Sequence, residues 1–285
     1  MTAGGVRAEA DRTASGSAWA SVTSSAPAKL TLSLRVTGVR DDGFHLLDAE
    51  MVTVDLVDSL TFAPGDGVSI VDEVVGGLPP GAIGPGPDNL VTRALALVGR
   101  RASVEVVKRI PVGAGLGGGS ADAAAVLRWA RVLDPGVAVR LGADVAFCLR
   151  GGRARVTGIG ETVEALPFEE RRFVLLLPPF SVSTHEVYRA WDARRGPGGA
   201  GPGGDESASN ELEDAAVAVA PRLAAWRDHF GDVCGRRPRL AGSGSTWFVE
   251  GEPERLGLDD REYLTLDGER AAVRAVATVP PSTAG

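Results

Sequence analysis

One segment, residues 110–125 (IPVGAGLGGGSADAAA), constrains this chain more than any other. Five glycines (113, 115, 117, 118 and 119) fall within seven positions. Each adds unfolded-state freedom that folding must remove, so a plain corner would not carry so many. Such density fits a backbone whose N–H groups approach a ligand closely. The alternating stretch before it, SVEVVKRIPV, predicts a strand. The alanine-rich SADAAAVLRWARVL after it predicts a helix that ends near Asp134-Pro135-Gly136. A helix start offers unpaired N–H groups and the positive end of a dipole, which favour an anion. Gly113, Gly115 and Gly118 also satisfy the G-x-G-x-x-G spacing of a dinucleotide site. That site needs a doubly buried parallel strand in front, whereas VEVVKRI carries Glu105, Lys108 and Arg109 and no βα alternation follows. A Walker loop is excluded, because Gly119 is followed by Ser120-Ala121 rather than Lys and Ser or Thr. An anion-binding loop of another kind remains.

The rest of the composition narrows the class. With 285 residues and 44% hydrophobic content the chain has material for two ordinary domains. A net charge of -7 argues against a nucleic-acid partner, and Arg100-Arg101, Lys108-Arg109 and Arg236-Arg237 read as solvated surface pairs. No apolar run reaches the roughly 18 residues that span a membrane. Cys148 and Cys234 offer neither metal spacing nor a disulfide framework and fit a reducing cytoplasm, with Cys148 in DVAFCL as a small buried hydrophobe. Residues 1–25 have no signal or transit character and read as a disordered tail, or as translation assigned from too early a start.

KLTLSLRV places Leu30, Leu32, Leu34 and Val36 on one face of a half-buried strand, opposite Lys29, Thr31, Ser33 and Arg35. DDGF is a turn, MVTVDLVDSLTF a further strand, and residues 76–89 a loop. Asp88 or Asn89 can cap a helix with Leu90, Ala94, Leu97 and Val98 on its apolar face. RGGRARVTGIGE reads as a hairpin. From residue 166 the pattern restarts with a buried strand, RRFVLLLPPF, a helix opening at STHEVYRAW, and a low-complexity loop through 196–205. Leu212, Ala216, Val219, Leu223, Trp226 and Phe230 share a helical face interrupted at Pro221, and RLAGSGSTWFVEG is strand, glycine turn, strand. Antiparallel strand pairs with helices between them give an α+β class in two halves, 26–165 and 166–285.

The glycine segment, PVGAGLGGGSADAA, resembles the phosphate-binding motif of the GHMP small-molecule kinases. Further stretches resemble one family of that superfamily, the 4-diphosphocytidyl-2-C-methyl-D-erythritol kinases. They are APAKLTLSLRVTGVRDDGFHLLDAEM (26–51), LGADVAFCLRGGRARVTGIGE (141–161), NELE (210–213) and LAGSGSTWF (240–248). These matches are ordered and span residues 26–249. The resemblance implies an N-terminal domain of ribosomal protein S5-like fold and a C-terminal ferredoxin-like domain. It implies ATP and Mg²⁺ as cofactors, and phosphorylation of the 2-hydroxyl of 4-diphosphocytidyl-2-C-methyl-D-erythritol in the non-mevalonate isoprenoid pathway.

Residue by residue, the resemblance assigns Asp144 as catalytic base and Lys29 as its partner. Pro111, Val112, Gly113, Ala114, Gly115, Leu116, Gly117, Gly118, Gly119, Ser120 and Ala121 would wrap the triphosphate. Asn89, Leu90 and Lys108 would contact adenine and ribose, while Phe44, His45, Thr184 and Tyr188 would hold the cytidyl substrate. No metal cage of protein ligands is implied, and the assembly would be a monomer or homodimer. The chemistry stands without the family too: transfer to an alcohol needs an acceptor for the hydroxyl proton and a cation that orients the oxygen. Four features depart from the family pattern: Thr31 in place of Asn, Ala146 in place of Pro, a short connection ARVLDPGVAVR, and the tail. The alternatives are a GHMP kinase for another alcohol and a non-catalytic nucleotide-binding homologue.

Overall fold

A computed structural model describes residues 19–74, 84–195, 210–259 and 261–281. Most of the expected tail, the 196–205 loop and most of the 76–89 loop lie outside those residues. Residues 22–25, expected in the tail, belong to the first strand, which begins at Val22.

The first half contains β1 (Val22–Val39), β2 (His45–Ala63), β3 (Gly67–Asp72), α1 (Leu90–Leu97), β4 (Ser103–Lys108), α2 (Gly118–Trp129), α3 (Pro135–Ala138), α4 (Val145–Arg150), β5 (Arg153–Gly158) and β6 (Thr162–Ala165). β1 and β2 form a long hairpin across the DDGF turn, and β2 is the spine of the sheet. Its other edge is shared: β5 pairs with residues 47–52 and β4 with residues 59–63. β3 lies parallel to β4, a pairing the expectation of antiparallel pairs alone did not include.

The second half contains β7 (Arg172–Leu177), α5 (Thr184–Arg195), α6 (Glu213–Val219), α7 (Arg222–Cys234), β8 (Arg239–Leu240), β9 (Trp247–Glu250), β10 (Tyr263–Leu266) and β11 (Glu269–Ala277). Its sheet has the order β10-β11-β7-β9-β8 and is antiparallel throughout. The helical face expected across 212–230 is divided between α6 and α7 at Ala220-Pro221.

β1 departs from simple alternation. Bulges at Thr31/Ser33 and Val36/Gly38 shift its register. Leu30 and Leu32 therefore enter one core and Leu34 and Val36 another, while Lys29 and Thr31, expected on an open face, are buried. The core around Leu30 lies between the two sheets. It takes Ala28, Val52 and Val54 from the first, and Phe173, Leu175, Phe248 and Ala272 from the second. β7 thus has apolar residues on both faces, with Val174 and Leu176 turned toward the helices. Cys148 packs inside α4 as expected, and burial pushes its thiol up to about 12. No helix among the described residues is long and apolar enough to cross a membrane.

Candidate active site

The glycine loop joins β4 to α2 along the seam between the halves. Leu116, in mid-loop, plugs into the inter-sheet core, and its carbonyl accepts a 3.0 Å bond from the N–H of Lys29. Two of its glycines have identifiable causes. At Gly115 (φ +76°) a Cβ would fall 2.0 Å from the carbonyl oxygen of Ala241, so this loop and the LAGSGSTWF turn meet backbone to backbone. Thr246 N–H donates to the Ala114 carbonyl across the same contact. Gly117 (φ +69°) is the N-cap of α2, and a Cβ there would strike the Lys29 side chain at 2.8 Å. No side chain caps α2, so its first-turn N–H groups remain available at the mouth of a cavity of about 630 Å³.

Lys29 and Asp144 line that cavity with Nζ 3.4 Å from Oδ2. Lys29 is buried, and its ammonium also donates to Thr31 Oγ1 at 3.0 Å. Thr31 therefore orients the lysine. Asp144 occupies the N-cap position of α4, but its side chain makes no capping bond. A carboxylate freed from capping and held beside an ammonium can take a proton from a hydroxyl, with the ammonium steering the oxygen. Ala146 lies within α4 and is buried, so it is a helical position rather than part of a loop that could loosen.

A second cavity, about 400 Å³, opens beside the first and shares Leu47, Ala143 and Tyr188 with it. Phe44 and His45, at the hairpin turn, form one wall. The Tyr188 ring lies 4.5 Å from that of His45 at 31°, and Trp191 meets His45 edge-on at 5.5 Å. Burial, with the charge of Asp144, holds the Tyr188 phenol protonated well above the ordinary range. His45 Nε2 lies 2.7 Å from Asp192 Oδ1. The carboxylate accepts, so in the neutral ring Nδ1 is left as an acceptor.

Residues 89–152 match the family model described as the GHMP kinases N terminal domain. The 4-diphosphocytidyl-2-C-methyl-D-erythritol kinase of Paracoccus denitrificans is 40% identical over 235 residues, covering 78% of this chain and 84% of the relative. That of Pelotomaculum thermopropionicum is 39% identical over 259 residues, covering 80% and 88%. A crystal structure of 4-(cytidine 5'-diphospho)-2C-methyl-D-erythritol kinase superposes with a TM-score of 0.66 at 30% identity, over 90% of this chain and 99% of the other. The chain belongs to the 4-diphosphocytidyl-2-C-methyl-D-erythritol kinase family.

In this member of the kinase family, all of the expected nucleotide residues but Leu116 and Ala121 line the first cavity, and the side chains of two that do, Asn89 and Lys108, are engaged within the protein. Leu116 and Ala121 face the cores and not the cavity. Asn89 spends its amide on capping α1, accepting from Val91 N–H at 2.8 Å and donating to the Gly84 carbonyl at 3.0 Å. Lys108, read as solvated, is buried in an ion cluster with Asp58 and Asp122. Burial works against its ammonium, yet the two carboxylates outweigh it and raise its pKa. Burial pushes the Asp122 carboxyl up to about 7, against the pull of Lys108. Thr184 lines the first cavity and shares a 2.8 Å bond with Ser243.

Asp122, Gly242 and Ser243 line the first cavity and Asp192 the second, and the sequence alone assigns none of them a role. Asp122 lies in the glycine segment and the Gly242-Ser243 pair in LAGSGSTWF. Asn210 of NELE shows what such a motif does structurally: its amide donates to the carbonyls of Leu240 (2.9 Å) and Gly242 (2.7 Å), fixing the turn that abuts the glycine loop.

Proposed function

We propose that this kinase transfers the γ-phosphate of ATP to the 2-hydroxyl of 4-diphosphocytidyl-2-C-methyl-D-erythritol, a step of the non-mevalonate route to isoprenoid precursors. The observation that carries the reading is the Lys29–Asp144 pair on the wall of the cavity rimmed by the glycine loop, beside a second cavity walled by Phe44, His45 and Tyr188 that meets the first at Leu47, Ala143 and Tyr188. In this reading the triphosphate rests on the N–H groups of the loop and of the first turn of α2. Asp144 takes the proton of the acceptor hydroxyl as the oxygen attacks phosphorus. Lys29, oriented by Thr31, holds that oxygen in line and offsets the developing negative charge. Mg²⁺ takes only one or two protein oxygens beside phosphate and water. The Ser120 hydroxyl, on the first turn of α2 and on the cavity wall, is an oxygen of that kind and would hold it. When bound, the ion neutralises phosphate charge.

His45 supports a cytidyl acceptor. With Nε2–H engaged by Asp192, Nδ1 accepts, which matches the exocyclic amine of cytosine and not the oxo group of uracil. Mevalonate or homoserine would leave this pair with no base to read. The two buried free thiols fit a reducing compartment such as the cytoplasm. A coupled ADP-release assay tests the reading, with the expected turnover on the cytidyl substrate and none on mevalonate or homoserine. Turnover on either of those, without turnover on the cytidyl substrate, overturns it.

A further inference from the structure

Asp58, Lys108 and Asp122 are buried together and take no part in the chemistry above. They come from three elements that the glycine loop connects or rests on: Asp58 from β2, Lys108 from the end of β4, Asp122 from the second turn of α2. Among the described residues, the side-chain hydrogen bonds of the cluster tie together the two ends of the loop. Asp58 Oδ1 accepts from the backbone N–H of Arg109 (2.5 Å) and of Ile110 (2.9 Å), where the chain enters the loop. Asp58 Oδ2 accepts from the Lys108 ammonium, which also donates to Asp122 Oδ2 at 2.6 Å where the chain leaves it. The ammonium lies close under the loop's exit, 3.2 Å from where a Cβ on Gly118 would stand.

Stability alone does not account for the arrangement. One ammonium is buried with two carboxylates, and well-packed apolar groups in such a place are often equal or better for stability. Charged hydrogen bonds contribute fixed direction instead. Here the direction is imposed on the two ends of a loop whose middle carries glycines with positive φ at 113, 115 and 117. Lys108 and Asp122 also line the first cavity, and Asp122 Oδ1 has no hydrogen-bond partner among the described residues. The cluster therefore lies directly behind the surface on which the phosphates would rest.

We propose that Asp58, Lys108 and Asp122 are positioning residues that set the arc of the glycine loop for the triphosphate, acting through the backbone at its entry and exit. This rests on the ATP reading above. The test is a calorimetric titration of the full chain with a non-hydrolysable ATP analogue and Mg²⁺, joined to thermal unfolding and to the KM of each substrate. Asp122→Leu keeps the branched shape of the side chain and removes the acceptor for Lys108. It should unfold at or above the wild-type temperature yet bind the analogue at least about tenfold more weakly, the worth of one hydrogen bond to a charged group. The KM for ATP should rise with it, and the KM for the cytidyl acceptor should not. Asp122→Asn, which retains an oxygen for Lys108, should recover most of the affinity. Wild-type affinity in Asp122→Leu overturns the proposal, as does an Asp122→Asn that binds no better than Asp122→Leu. Loss of folding in Asp122→Leu, or an equal rise in both KM values, also overturns it, because the cluster would then serve the fold. A wild type that does not bind the analogue overturns the ATP reading and this proposal with it.

Discussion

Asp192 is a half-exposed carboxylate on α5, yet it decides what His45 presents to a ligand. By accepting from Nε2 it holds the ring at the second cavity and, in the neutral ring, leaves Nδ1 as the acceptor proposed to read the base. Asp192→Ala should raise the KM for the cytidyl acceptor about tenfold and narrow its preference over the uridyl analogue, since one hydrogen-bonded reading group is lost. The KM for ATP should stay unchanged, because Asp192 does not line the first cavity, the one proposed for the nucleotide. Steady-state kinetics with both acceptors checks this, and an unchanged preference would show that His45 is oriented by something else. His45 was legible from the DGFH turn, but Asp192 was not, since 147 residues separate the pair. Lys108 misled for the same reason. Its charge beside Arg109 reads as surface until Asp58 and Asp122, 50 and 14 residues away, are brought against it.

At the scale of elements, the two glycine-rich turns interlock backbone to backbone. The Ala241 carbonyl occupies the space a Cβ on Gly115 would need, and Asn210 pins the far side of that turn. Gly115→Ala must displace backbone and also place a side chain at φ +76°. A cost of about 2–4 kcal/mol follows from overpacking and strain, or roughly 4–16 °C in unfolding temperature for a chain of this size. ATP-analogue binding should fall with it, and a differential scanning experiment at wild-type Tm would refute the interlock. The strand, glycine loop and helix were readable from local pattern, as was the break at Pro221. The bulges in β1 were not, because a one-residue slip leaves the alternation of KLTLSLRV intact while sending Leu30 and Leu34 to different cores.

The whole molecule is two sheets facing each other across a shared apolar core, with the glycine loop inserted at the seam through Leu116. That placement brings residues from both halves to one site: Lys29 and Asp144 from the first, Thr184, Tyr188 and Ser243 from the second. The α+β class and its division in two were legible from composition and strand spacing. Which faces meet depends on contacts between distant segments, and no local pattern encodes them. The roles proposed for Asp144 and Lys29 lie at the transferring phosphoryl group, while other residues bind its carriers. A single-turnover measurement with ATP and the cytidyl acceptor both saturating tests them most directly, comparing wild type with Asp144→Asn and Lys29→Met. Transfer should slow by about 100-fold or more in each variant, the usual worth of a positioned acid, base or charge, with calorimetric affinity for the ATP analogue within a few-fold of wild type. Transfer at the wild-type rate in Asp144→Asn would contradict the account.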